Sequence, residues 1–207
     1  MTTIVAALGL LLLSGCQKVE VSVSGELNGH SYVDLVLPSG TLWATCNVGA
    51  NNPEDEVNRY AWGETRTKGT DYWDNYKYCK SDRYRLTKYC SKSEYGDNSF
   101  TDNLTRLVVS DDAATVIWGD GWRTPSDNEF RELFSECSWE EKDDGVLFIG
   151  SNGNMLFLPF SYFWTSKLNT EHPDCAYCVS FWESIPFDIG SKERCYGETV
   201  RPVCSLR

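Results

Sequence analysis

Two histidines and two methionines are all that the 207 residues contain. Neither His30 nor His172 has neighbours that suggest a catalytic base, and His172 lies in the polar loop Asn169-Thr-Glu-His-Pro173. No Gly-x-Ser-x-Gly elbow occurs, so the usual nucleophile turn of a hydrolase is missing. Positive charge is short: 19 Lys and Arg stand against 30 Asp and Glu, for a net charge of −11. With no basic stripe, the chain is a poor partner for nucleic acid or anionic headgroups. The adjacent acids Asp111-Asp112, Glu140-Glu141 and Asp143-Asp144 read as solvated charge on turns. Long apolar runs are also missing. The run Ile4–Leu13 is about half the roughly twenty residues that a membrane-spanning helix needs.

That run does fit the apolar core of a secretory signal. It ends in Leu13-Ser14-Gly15-Cys16, which looks like a bacterial lipobox with Cys16 as the lipidated residue. Residues 1–16 are therefore expected to be a lipoprotein signal, although Met1–Ile4 carries no Lys or Arg. The remainder should sit in the cell envelope, anchored to the outer membrane by lipid alone. Beyond Cys16 the cysteines are Cys46, Cys79, Cys90, Cys137, Cys175, Cys178, Cys195 and Cys204. An even number in an exported chain predicts disulfides. Cys79 and Cys90 bracket the polar stretch KSDRYRLTKY, and closing such a loop would stabilise by roughly 3 kcal/mol. Cys175-Ala-Tyr-Cys178 has the spacing of a redox or zinc pair, but it leads into a strand and not a helix. A second such pair is absent, so disulfides to other cysteines are expected. No metal or cofactor is expected.

Along the chain, residues 17–30 read as a tether or first strand, and residues 31–207 as one domain. Tyr32–Leu37 alternates, Pro38-Ser39-Gly40 turns the chain into Thr41–Val48, and about 51–103 reads as long loops pinned by aromatics. A helix is expected from Asp111 to Trp118, with Ser110 as N-cap and Gly119 past its end. A second begins at the capping box Ser126/Glu129. It places Phe130, Leu133, Phe134 and Cys137 on one face and Asp127, Asn128, Arg131 and Glu132 on the other. Val146–Gly150 and Met155–Phe160 flank Ser151-Asn152-Gly153-Asn154 as a hairpin. Tyr177–Trp182 and Thr199–Leu206 complete the strands. The pattern is α+β with an antiparallel sheet.

Four blocks then carry a resemblance: Leu37–Ala50 (LPSGTLWATCNVGA), Ala61–Glu64 (AWGE), Trp118–Ser126 (WGDGWRTPS) and Val200–Val203 (VRPV). In this order, over most of Tyr32–Val203, they resemble the Fibrobacter succinogenes major paralogous domain of gut-bacterial surface lipoproteins. The resemblance implies a C-type-lectin-like fold, with two helices, small antiparallel sheets and long ligand-presenting loops. The chain departs from the family pattern at Leu158–Ser166, where two motifs look fused and the loop between them is shortened. The calcium triplets of lectins (Glu-Pro-Asn, Gln-Pro-Asp, Trp-Asn-Asp) do not occur, and Trp73-Asp74-Asn75 inverts the last of them. Trp43, Trp62, Trp118 and Trp122 read as core. Arg123 and Arg201 are expected in inner ion pairs, with Glu64 or Glu129 as partners.

With no catalytic constellation, the leading expectation is a binding module for a glycan or a surface protein. Its expected ligand set is Tyr162, Trp164, Asn169, His172, Tyr177, Trp182, Glu183 and Tyr196, aromatics set among amide and acid groups. A subunit of an envelope or fimbria-like assembly, and a thiol oxidoreductase using Cys175 and Cys178, are the alternatives.

Overall fold

The computed structural model describes residues 20–206 apart from Val57, Asp71 and Ser184. The signal and Cys16 lie outside the described residues. The fold is α+β, with two α-helices among small antiparallel sheets. One sheet has the order β1 (Gly25–Leu27), β2 (His30–Val33), β3 (Leu42–Ala44), β13 (Val203–Cys204), β5 (Trp122–Arg123). A second is β11 (Ile185–Glu193), β10 (Cys175–Trp182), β9 (Tyr162–Leu168), and a third is β6 (Ser138–Lys142), β7 (Gly145–Ile149), β8 (Met155–Pro159). The short strand β4 (Tyr60–Ala61) pairs with β12 (Gly197–Glu198).

Strand alternation divides the interior in two. Leu42 and Ala44 face one core and Trp43 the other; Trp164, Ala176 and Cys178 join the first, while Phe163, Val179 and Phe181 join the second. The first core is built on aromatics, including Tyr60, Trp62, Tyr76, Tyr78, Tyr89, Trp118 and Trp122. The second is closed by α2 (Asp127–Glu136), whose Phe130 and Leu133 are fully buried. Phe130 meets Trp43 edge-on at 5.0 Å. Burial of a side chain of this size contributes about 1.5–3 kcal/mol.

The α2 start is the expected capping box: Glu129 N–H donates to Ser126 Oγ (3.3 Å) and Ser126 N–H to Glu129 Oε2 (2.7 Å). Asp127 is not on an exposed face as expected. It is buried and paired with Lys167 at 2.9 Å. The first helix, α1 (Ala113–Trp118), is capped by Asp112 and not by Ser110, because a 3₁₀ turn occupies Val109–Asp111. Gly119 ends it at φ 90°, where Asn28 donates to the carbonyls of Trp118 and Asp120. The expected strand Tyr32–Leu37 stops at Val33. Val36 adopts φ 57° with its N–H held by Asp34 Oδ1, yet Leu35 and Leu37 still point inward. Thr41–Val48 and Thr199–Leu206 likewise shrink to β3 and β13.

No disulfide forms: the cysteines of the described residues are all free. Cys79 and Cys90 were the expected pair, but the segment between them is closed by other means. Leu86 is fully buried, bridges Cys79 and Gly96, and takes part with Lys80 N–H→Arg85 O (2.9 Å) in a backbone-bonded reversal. The Cys79 thiol donates to Trp73 O at 3.0 Å and the Cys90 thiol to Lys92 O at 3.1 Å. Cys175 and Cys178 lie on β10 in regular register with β11. Alternation therefore sends their sulfurs to opposite faces.

Candidate functional site

The eight residues expected to bind a ligand do not converge. Trp164 is 1% exposed, with its indole N–H donating to Tyr60 O at 2.7 Å. Asn169 is buried and shapes its own loop, accepting from the N–H groups of Glu171 and His172 and donating to Ser191 Oγ. These two belong to the framework. Tyr177 is half-buried, its ring 4.9 Å from Lys167 Nζ. Tyr162 and Trp182 meet at one end of β9 and β10, with ring centroids 5.2 Å apart; Trp182 is 41% exposed and Glu183 is exposed beside it. Lys192 Nζ lies 3.7 Å over the Tyr162 ring and pairs with Glu198. His172 and Tyr196 sit at the opposite end of these strands. Replacing Trp164 with alanine is therefore expected to cost about 3–5 kcal/mol. A thermal melt should detect this before any binding assay reports on it.

A more coherent face forms where the 72–95 segment meets the loop between β9 and β10 and the turn after β11. Its base is an ion network. Arg83 Nη2 pairs with the fully buried carboxylate of Asp174, and Arg83 Nη1 donates to Glu193 Oε1 at 2.8 Å. Trp73 Nε1 donates to Glu193 Oε2 at 3.0 Å. Burial opposes the Arg83 charge, but the two carboxylates outweigh it and raise the pKa. Above this base the Tyr84 ring is 54% exposed, 5.4 Å from the Tyr95 ring and 5.6 Å from the Arg83 guanidinium. Tyr95 Oη lies 3.3 Å from His172 Nδ1. Lys92 pairs with Glu171 at 2.8 Å, and Ser91 Oγ donates to Thr170 O. Tyr196 is exposed on the turn closed by its N–H to Glu193 O.

Of the expected set, then, His172 reaches this face and Tyr196 is exposed on the turn that follows Glu193, while Arg83, Tyr84 and Tyr95 lie outside that set. The signal in the sequence is the tyrosine content of KSDRYRLTKY, which holds Arg83 and Tyr84; Tyr95 lies beyond it.

Burial pushes the Cys175 thiol up to about 11 and the Cys178 thiol up to about 12, opposite to the lowering that thiol–disulfide exchange uses. Among the described residues no group of three or more His, Cys, Asp or Glu is placed to hold a metal. Among them, too, no helix is long and apolar enough to cross a membrane. Arg123 forms the expected ion pair with Glu129, through contacts of 2.5 and 2.8 Å. Arg201 does not: its guanidinium meets only carbonyl and amide oxygens. Glu64 pairs instead with Lys68. The chain matches no family model, no curated protein and no solved structure.

Proposed function

We propose that the chain is a cell-envelope binding module of C-type-lectin-like fold, tethered through Cys16, that recognises a glycan at the face bearing Tyr84, Tyr95 and His172. The observation that carries this reading is the pair of tyrosine rings beside an imidazole, above an ion pair of half-buried Arg83 with the buried Asp174. Rings held in place in advance lose little freedom on binding, and their faces suit the apolar side of a sugar. The charged pair of Lys92 with Glu171, next to His172 in the chain, suits hydroxyls better than the charge-depleted centre of a protein interface. In a glycan array and a surface-protein array, Tyr84→Ala and Tyr95→Ala are expected to weaken binding at least about tenfold. Trp182→Ala, at the far end of the strands, should leave it unchanged. Loss with Trp182→Ala alone would move the site to the Tyr162–Trp182 corner, and binding to proteins alone would replace the glycan.

One observation favours the assembly-subunit reading as an alternative. The outer edge of β11, a nine-residue strand, has no strand partner among the described residues, and open edges invite strand addition. Against it, the N-terminal segment is docked from Ser22 on: Ser22 N–H donates to Met155 O and Met155 N–H to Ser22 Oγ, both at 2.9 Å. A well-folded chain that binds neither array but co-purifies with an envelope polymer would favour this second reading.

A further inference from the structure

A cavity of about 510 Å³ lies away from the tyrosine face, between α1, the start of α2 and the middle of β9. Its size falls within the roughly 300–1,000 Å³ of small-molecule sites. A bulge in β9 builds it. On β10 one residue lies between the partners Ala176 and Cys178, whereas on β9 three lie between Leu168 and Trp164. The surplus backbone turns to other partners: Ser166 N–H donates to Pro125 O (2.8 Å), Leu107 N–H to Ser166 O, and Leu168 N–H to Thr105 O (both 2.9 Å). An isolated bridge between Arg106 and Lys167 completes the junction. The backbone of Arg106 is thus fixed at the cavity wall.

The charges lining the cavity are unequal in availability. Asp112 is buried and saturated, accepting from Thr124 N–H (2.8 Å), Thr124 Oγ1 (2.7 Å) and Ala114 N–H (3.0 Å). Arg123 and Glu129 neutralise one another in a two-point pair. The Arg106 guanidinium is exposed and makes no hydrogen bond or ion pair among the described residues. One uncompensated positive charge therefore belongs to a residue that lines the cavity, beside an apolar wall at Leu107 and Val109, in a chain whose net charge is −11.

We propose that this cavity is a second ligand site, taking a small hydroxylated monocarboxylate such as a sugar acid, with Arg106 receiving the carboxylate. A guanidinium fork matches a carboxylate in a two-point pair. A single free cation beside Glu129 matches a monoanion and leaves half of a phosphate dianion's charge uncompensated. The Ser166 hydroxyl and the apolar wall face the hydroxylated and the carbon-bound sides of the ligand. This assignment does not depend on the glycan reading of the tyrosine face.

The test is calorimetric titration of the full chain with D-glucuronate, glucose and glucose 6-phosphate at low millimolar concentration. Glucuronate is expected to bind saturably and glucose not to bind. Arg106→Gln should weaken glucuronate at least about tenfold, while Arg131→Gln, a charge-matched change on the outer face of α2, leaves it unchanged. Because the Arg106 side chain holds nothing in the fold, its variant should melt with the parent. Equal binding by Arg106→Gln, no saturable glucuronate binding, or tighter binding of glucose 6-phosphate would each overturn the proposal.

Discussion

Replacing Arg201 with methionine is expected to lower stability by about 3–5 kcal/mol. Its guanidinium is fully buried. It donates from Nε to Asn47 Oδ1 (2.7 Å), from Nη1 to the carbonyls of Ala44 (3.1 Å) and Thr45 (2.7 Å), and from Nη2 to Pro53 O (3.2 Å). Burial pulls its pKa down to about 10, so at neutral pH it remains a cation held by dipoles and not by a carboxylate. Methionine fills much of the volume but strands four acceptors, and each buried acceptor left unmet costs about 1–3 kcal/mol. Those acceptors span the segment after β3, so its path toward Pro53 should loosen with them. Arg201→Lys keeps the charge but cannot reproduce the planar fork, and it should recover less than half of the loss. Urea midpoints at neutral pH would check this. A methionine variant within about 0.5 kcal/mol of the parent, the range of an ordinary surface change, would mean that the oxygens find other donors.

The difference between Arg123 and Arg201 shows what a sequence can and cannot disclose. Arg123 lies six residues from Glu129, next to a capping box that local spacing already announces, and their pair was legible. Arg201 reaches Asn47 and Ala44, more than 150 positions away, and nothing in Val-Arg-Pro-Val signals carbonyl partners over a carboxylate. The same boundary runs through the candidate site. Trp164 and Trp182 are alike in type and strand setting. One is core, with its indole N–H on Tyr60 O of β4, and the other, at the last position of β10, is 41% exposed. Hairpin β7–β8 and helix α2 were readable because turn residues and a 3.6-residue period are local. The 72–95 face was not. Its backbone turns at Ser81 and Tyr89 carry positive φ, and its base joins Arg83 to Asp174 across 91 positions.

Acid should unfold the chain through two carboxylates in particular. Burial pushes Asp111 upward, but hydrogen bonds from Lys88 (2.5 Å) and Tyr89 Oη (2.7 Å) outweigh it and hold the pKa at about 2. Burial likewise raises Glu129, and Arg123 with the Ser126 N–H outweighs it, again to about 2. A folded pKa below the unfolded value of about 4 gives stability that is complete above the unfolded value. It is lost as pH falls through the folded one. The window is therefore pH 4.5 down to about 2, with a loss on the order of 2 kcal/mol per group. Asp112 works in the other direction. Burial raises its pKa, so protonation relieves the folded state and offsets part of the loss. In urea titrations across that window the parent's midpoint should fall steeply. Glu129→Gln, which can still close the capping box, and Asp111→Asn should each start lower at neutral pH and fall less. The double variant should keep only a shallower slope below pH 5, since Lys80 and Arg85 also hold the Asp97 carboxyl down. A double variant with the parent's full slope would place the acid sensitivity elsewhere and leave these two pairs as geometry without energetic weight.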